Sequence, residues 1–267
     1  MMTAHVSALS MVMIAVSAII AIGLPIVIFI YYRKRGAAVA PFFVGCAVMF
    51  LFALVLESIV HNIVFGTAAG NAIQNSVVLY GLYGGLMAGL FEETGRFAAF
   101  KTVLKKHQSN DVNALMYGAG HGGLESIVLV GIAMITNLVL ALMINSGTVA
   151  AMLQSLPAES AESVNQALAA LTDSAPMTFL AGAVERVFAI ALQISLSVLV
   201  WFAAKDQSRI LLFPLAIGLH AAVDCIMYIV SQNVGSIWIT EAVIGVMAVA
   251  VAMVAKAVWK KNREEWY

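Results

Sequence analysis

Long runs of apolar residues, broken at intervals by short polar clusters, set the pattern of this chain. A helix needs about 20 mostly apolar residues to cross the hydrocarbon of a bilayer. Seven segments reach that length, at residues 8–32, 40–65, 77–101, 113–144, 179–203, 210–230 and 237–259. The first carries no charge and is followed by Arg33, Lys34 and Arg35. A cleaved secretory signal has its positive charge ahead of the apolar run, so this segment reads as a retained span.

Basic residues then fix an expected orientation, because they concentrate in cytosolic connections. Arg33, Lys34 and Arg35 lie in the first such connection, Lys101, Lys105 and Lys106 in the second, and Lys205 and Arg209 in the third. Lys256, Lys260, Lys261 and Arg263 lie at the C-terminal end. The connections around 66–75, 145–178 and 231–236 have none, and Arg96 and Arg186 fall inside spans. The pattern predicts an all-α polytopic membrane bundle of about seven transmembrane helices, N-out and C-in, with residues 1–267 as a single transmembrane domain. Within the outer connection 145–178, Pro157 followed by Glu159 and Glu162 resembles a helix start, and Val164, Leu168 and Leu171 follow at helical spacing. A short amphipathic helix is expected there, covering a bundle end or acting as a lid.

Composition agrees. Hydrophobic residues make up 62% and charged residues 10%, against roughly 25% charged in soluble domains. Mean hydropathy is +0.97 and net charge is zero. These values exclude a cytosolic enzyme, a disordered regulator and a nucleic-acid binder. Cys46 and Cys225 sit in apolar runs and suggest neither a disulfide framework nor a thiolate metal site. The expected location is the bacterial cytoplasmic membrane, and the expected partners are lipid and a membrane protein or peptide substrate.

The few charges inside the spans carry the chemistry. A charged side chain at mid-bilayer costs at least ~2.5–3.5 kcal/mol, which makes a functional role the default reading. They come in pairs four residues apart, each on one helix face: Glu57/His61, Glu92/Arg96, His121/Glu125 and His220/Asp224. Glu92, His121, Gln193 and His220 each lie about eight to ten residues from a basic-loop end. At 1.5 Å per residue that is one common level, about 12–15 Å deep. This depth predicts a cytosol-facing entrance. Glu57, Glu185 and Arg186 form a more external layer, where Arg186 is expected to neutralise a carboxylate. Gly81, Gly85 and Gly89, and Gly118 with Gly122, recur every four residues, as in closely packed membrane helices.

Amide hydrolysis needs a base for water, a stabiliser for the oxyanion and a proton for the leaving amine. Glu92 or Glu93 can be the base, with Arg96 one turn later holding one of them charged. His121 and His220 can donate to an oxyanion or, with Glu125 or Asp224, supply the three protein ligands a zinc site takes. No HExxH helix is present, and spacing leaves the metal open.

Glu92-Glu93-Thr94-Gly95-Arg96 resembles the paired-glutamate motif of the membrane proteases related to PrsW and the type II CAAX prenyl endopeptidases. The stretch YGAGHGGLE from Tyr117 to Glu125, and Glu185-Arg186 followed by Gln193, resemble the YhfC branch, as does His220 with Asp224 four residues on. The resemblance covers the second to sixth spans. It implies an intramembrane endopeptidase, either a metalloprotease or a glutamate-type enzyme. Glu92 and Glu93 would be the water-activating pair and Arg96 their partner. His121, His220 and Asp224 would bind a metal, zinc by preference, or stabilise the oxyanion. Phe97 stands where the CAAX enzymes have their arginine, so prenyl-protein processing is not implied. Gln193 stands where some YhfC-like sequences have a histidine. Two rivals use the same residues differently: a proton- or cation-coupled transporter, and a catalytically silent membrane scaffold.

Overall fold

The computed structural model describes residues 5–263, which are helical throughout apart from short connections. The seven long helices are α1 (Ala8–Lys34), α2 (Ala40–Phe65), α4 (Val77–Lys101), α5 (Val112–Ser146), α8 (Thr178–Lys205), α9 (Leu212–Asn233) and α10 (Ile237–Asn262). Three short ones join them: α3 (Ala68–Gln74), α6 (Val149–Gln154) and α7 (Ala158–Asp173). In lipid every backbone amide must be satisfied internally, so apolar runs of this length fold as helices.

Six of the seven long helices are long and apolar enough to cross a membrane by length and composition. The seventh, α4, has 25 residues but carries Glu92, Glu93, Arg96 and Lys101. The chain is an integral multi-pass membrane protein.

Helix ends follow local signals. Pro41 opens α2, where its missing N–H is no loss. Ser76 caps α4 by accepting from Leu79 N at 3.3 Å. Gly147, at φ 75°, closes α5 in the left-handed conformation. Two stretches widen to π-helix, Met49–Glu57 within α2 and Ile127–Gly131 within α5. Such insertions re-aim side chains and recur at functional sites.

The backbone resolves into two compact units, Met1–Gly23 with Ser126–Arg186 and Leu24–Glu125 with Val187–Tyr267. In the first, Ile14, Ala141, Ile144, Leu168, Leu171 and Phe179 share a core. Leu168 and Leu171 come from α7, so its apolar face is buried in that core. Asn145 brackets Val6, accepting from its N–H and donating to its carbonyl, both at 2.9 Å. Arg186 pairs with Glu185, its neighbour on α8.

The second unit holds the larger core. Phe100, Leu104, Tyr117, Leu196, Leu199, Trp201 and Phe202 are fully buried there. Phe100 meets Tyr117 edge-on at 4.6 Å and Trp201 at 5.0 Å. Asp111 fixes the same end, accepting from Trp201 Nε1 at 2.8 Å and Lys205 Nζ at 3.0 Å. A buried indole N–H needs such an acceptor. Alongside, α4 runs against α9 with its glycine row inward. A Cβ at Gly85 would collide with the Ala221 carbonyl, and one at Gly118 would stand 2.5 Å from Ile194 Cα. Only hydrogen at these positions lets α4 approach α9, and α5 approach α8, closely enough for their polar side chains to meet.

Candidate active site

Four helices of the second unit bring their ionisable groups together. On α4, Glu92 and Glu93 are adjacent and therefore point differently. Glu93 is fully buried and both its oxygens are engaged: Arg96 Nη1 donates to Oε2 at 3.0 Å, and His220 Nδ1 meets Oε1 at 2.8 Å. Arg96 also donates through Nη2 to the Gln193 side-chain oxygen, and its guanidinium lies 5.9 Å from the Tyr117 ring centre.

Glu92 is placed otherwise. Its side chain keeps 9% exposure where Glu93 has 0%. Its Oε2 meets His121 Nε2 at 2.8 Å and accepts from Gln193 Nε2 at 2.9 Å. His220 Nε2 stands 4.0 Å from the same oxygen and 3.5 Å from Asp224 Oδ2. Gln193 is a hub: besides receiving Arg96, its amide donates to Glu125 Oε2 at 3.1 Å. Arg96, Gln193, Glu92 and His121 thus form one continuous chain of hydrogen bonds across three helices.

The residues singled out from sequence as one level, Glu92, His121, Gln193 and His220, are therefore neighbours. Geometry also separates the two glutamates, which sequence could not: Glu93 is fully buried with both oxygens engaged, and Glu92, also buried, keeps a small exposure and is held through one oxygen. Glu57 and His61 pair as their spacing suggests, at 3.1 Å. Their third member, Tyr83, accepts or donates at His61 Nδ1 at 2.9 Å. Sequence reasoning missed Tyr83, because a tyrosine near a helix end reads as part of the interfacial aromatic belt. It also missed the hub role of Gln193, although an amide inside a span was itself the signal.

A metal ion needs converging lone pairs, about 2.0–2.2 Å from zinc for nitrogen and oxygen. His121 Nδ1 is buried without a hydrogen-bond partner, so one donor atom is free. His121 Nε2 is turned to Glu92, and Glu125 is met by the Gln193 amide, which donates and offers no lone pair. Among the described residues no three His, Cys, Asp or Glu side chains group so as to hold a metal ion. As arranged, the donor set expected of His121, Glu125, His220 and Asp224 does not fit one.

The family model described as YhfC intramembrane metalloprotease matches residues 19–244. The "Uncharacterized membrane protein YhfC" of Bacillus subtilis (strain 168) is 36% identical over 266 residues, covering 96% of this chain and 100% of that protein. No solved structure matches the chain. The chain belongs to the YhfC intramembrane metalloprotease family.

Proposed function

We propose that this member of the family is an endopeptidase that cleaves a membrane-embedded protein or peptide with water activated by Glu92. The observation that carries this reading is the asymmetry of the pair. Glu93 has both oxygens bound in a dry interior, while Glu92, buried but for 9% of its side chain, is held through Oε2 alone by His121 and Gln193.

Glu92 takes a proton from water, and the water oxygen bonds to the carbonyl carbon of the scissile amide. The carbonyl oxygen becomes an oxyanion and accepts a hydrogen bond from His220 Nε2, which faces the same space. Donors already in position stabilise such charge without reorganisation. Glu92 then passes its proton to the amide nitrogen, the C–N bond breaks, and a carboxyl group and an amine result. His121 holds Glu92 in place. Arg96 and Glu93 are positioning residues, acting through Gln193 and His220.

The basic loops support an N-out, C-in orientation for this enzyme. Cleavage of a membrane-tethered reporter in proteoliposomes tests the reading. Wild type is expected to cleave, and Glu92→Ala to be inactive while remaining folded in detergent. Full cleavage by Glu92→Ala would end the proposal. Ion flux through the same vesicles with no cleavage would favour a transporter. Metal analysis with a chelator challenge bears on the family's metal. Cleavage that survives chelation leaves the water with Glu92 alone, and cleavage that falls and returns with zinc adds an ion to these residues.

A further inference from the structure

Exposure of the ionisable groups is graded along the helices of the second unit. On the Lys101 side of the Glu92 level, Arg96 is 0% exposed. Beyond it lies the dry cluster of Phe100, Tyr117, Leu199 and Trp201, all fully buried. Phe97 and Phe213 stack at 4.6 Å beside that cluster. In the other direction exposure rises. Glu57 is at 10% and His61 at 29%, and Asp224 is at 36%. All three lie toward the end where α2 finishes, α4 begins and α9 finishes, an end marked by Tyr80 stacked on Tyr228 at 4.7 Å.

A charged side chain one-third exposed inside a span faces water or another protein group, since hydrocarbon would impose the cost of a bare charge. A second observation points the same way. Gly84, Ala88 and Glu92 are spaced by four and share one face of α4. A Cβ at Gly84 would meet nothing within 4 Å. Open space therefore lies beside α4 at Gly84, about two turns from Glu92, with the small Ala88 between them.

We infer that water and substrate reach Glu92 from the Val77 end of α4, past Gly84, His61, Glu57 and Asp224, and that the Lys101 end is closed. This rests on Glu92 being the reacting group. It reverses the entrance expected from depth alone: Glu92 is nearer the basic loops, but the shorter path runs through the buried cluster of Phe100, Tyr117, Leu199 and Trp201, and the groove on that side beside Gly95 and Ala99 is lined mostly by apolar residues. With the orientation proposed above, the opening faces the outside, and the extended backbone of a substrate would find hydrogen-bonding partners in Glu57, His61, Tyr83 and Asp224.

Cysteine labelling tests this without requiring activity. In the full-length chain carrying Cys46→Ala and Cys225→Ala, single changes Gly84→Cys, His61→Cys and Asp224→Cys are treated with a membrane-impermeant thiol reagent. The reagent is added to one face at a time of sealed vesicles, and labelling is read by mass. Lys105→Cys identifies the basic-loop face, and Ala114→Cys reports on the closed end. Exposed thiols react and buried ones do not, so the three sites should label about tenfold or more faster from the face opposite Lys105→Cys. Ala114→Cys should stay unlabelled from both faces. Labelling of Gly84→Cys and Asp224→Cys only from the Lys105 face overturns the inference, as does labelling from neither face. Gly84→Cys enters open space, so it keeps the test valid if Asp224→Cys misfolds. Loss of cleavage in Glu92→Ala is a separate readout, so failure of the entrance and failure of the hydrolase reading are distinguishable.

Discussion

Neighbouring carboxylates with different surroundings should respond differently to the same small change. Glu92→Gln keeps shape and removes a base, and removing such a group typically costs about 10²–10⁴-fold in rate. Its thermal unfolding in detergent should stay near wild type. Glu93→Gln instead leaves Arg96 without its charge partner in a dry interior, where breaking a buried pair costs about 3–5 kcal/mol. That variant should unfold at a clearly lower temperature. Equal melting of the two would contradict the division of roles. Asp111→Ala offers a control away from the chemistry. It strands Trp201 Nε1 and takes one partner from Lys205, and an unsatisfied buried donor costs about 1–3 kcal/mol. Loss of stability is expected, with cleavage per folded molecule kept. At this scale sequence disclosed which residues meet in the cluster and concealed how they are shared. The pair Glu57/His61 meets on its own helix. Arg96, however, reaches Glu93 at three residues instead of Glu92 at four, because Gln193 and His220 arrive from other helices and decide which rotamers are satisfied.

Among the elements, span positions were legible to within about three residues, since hydrophobic length largely specifies them. The π-helical stretches were not: Met49–Glu57 is uniformly apolar up to Glu57, and hydropathy does not encode a change in hydrogen-bond step. The glycine rows were legible as packing faces, but not as α4 against α9 or α5 against α8. Their consequence is testable with two adjacent positions. Gly85→Ala forces α4 away from α9 and should cost about 1–3 kcal/mol, the usual range for overpacking. It should also lower cleavage by pulling His220 from Glu93. Gly84→Ala places the same methyl group where no atom stands within 4 Å, so its melting should match or slightly exceed wild type, as expected for glycine replaced in a helix. Thermal melts of both variants in one detergent settle the comparison.

For the whole molecule, the alternation of basic and uncharged connections makes a firm expectation. Reporter domains joined at the two chain ends should be active on opposite sides of the membrane, the C-terminal one in the cytosol. A cytosolic N-terminal reporter would reverse the orientation and with it the compartment from which substrate is drawn. The aromatic floor of Phe100, Tyr117 and Trp201 has a further consequence for the cell. A hydrolase embedded in an energised membrane has to keep water at its catalytic carboxylate without letting protons leak down the gradient. If water reaches Glu92 from the opposite end, as inferred above, these buried rings would stand as an electrical insulator in series with the wet side, so the protein could be hydrated to mid-depth while the membrane keeps its voltage.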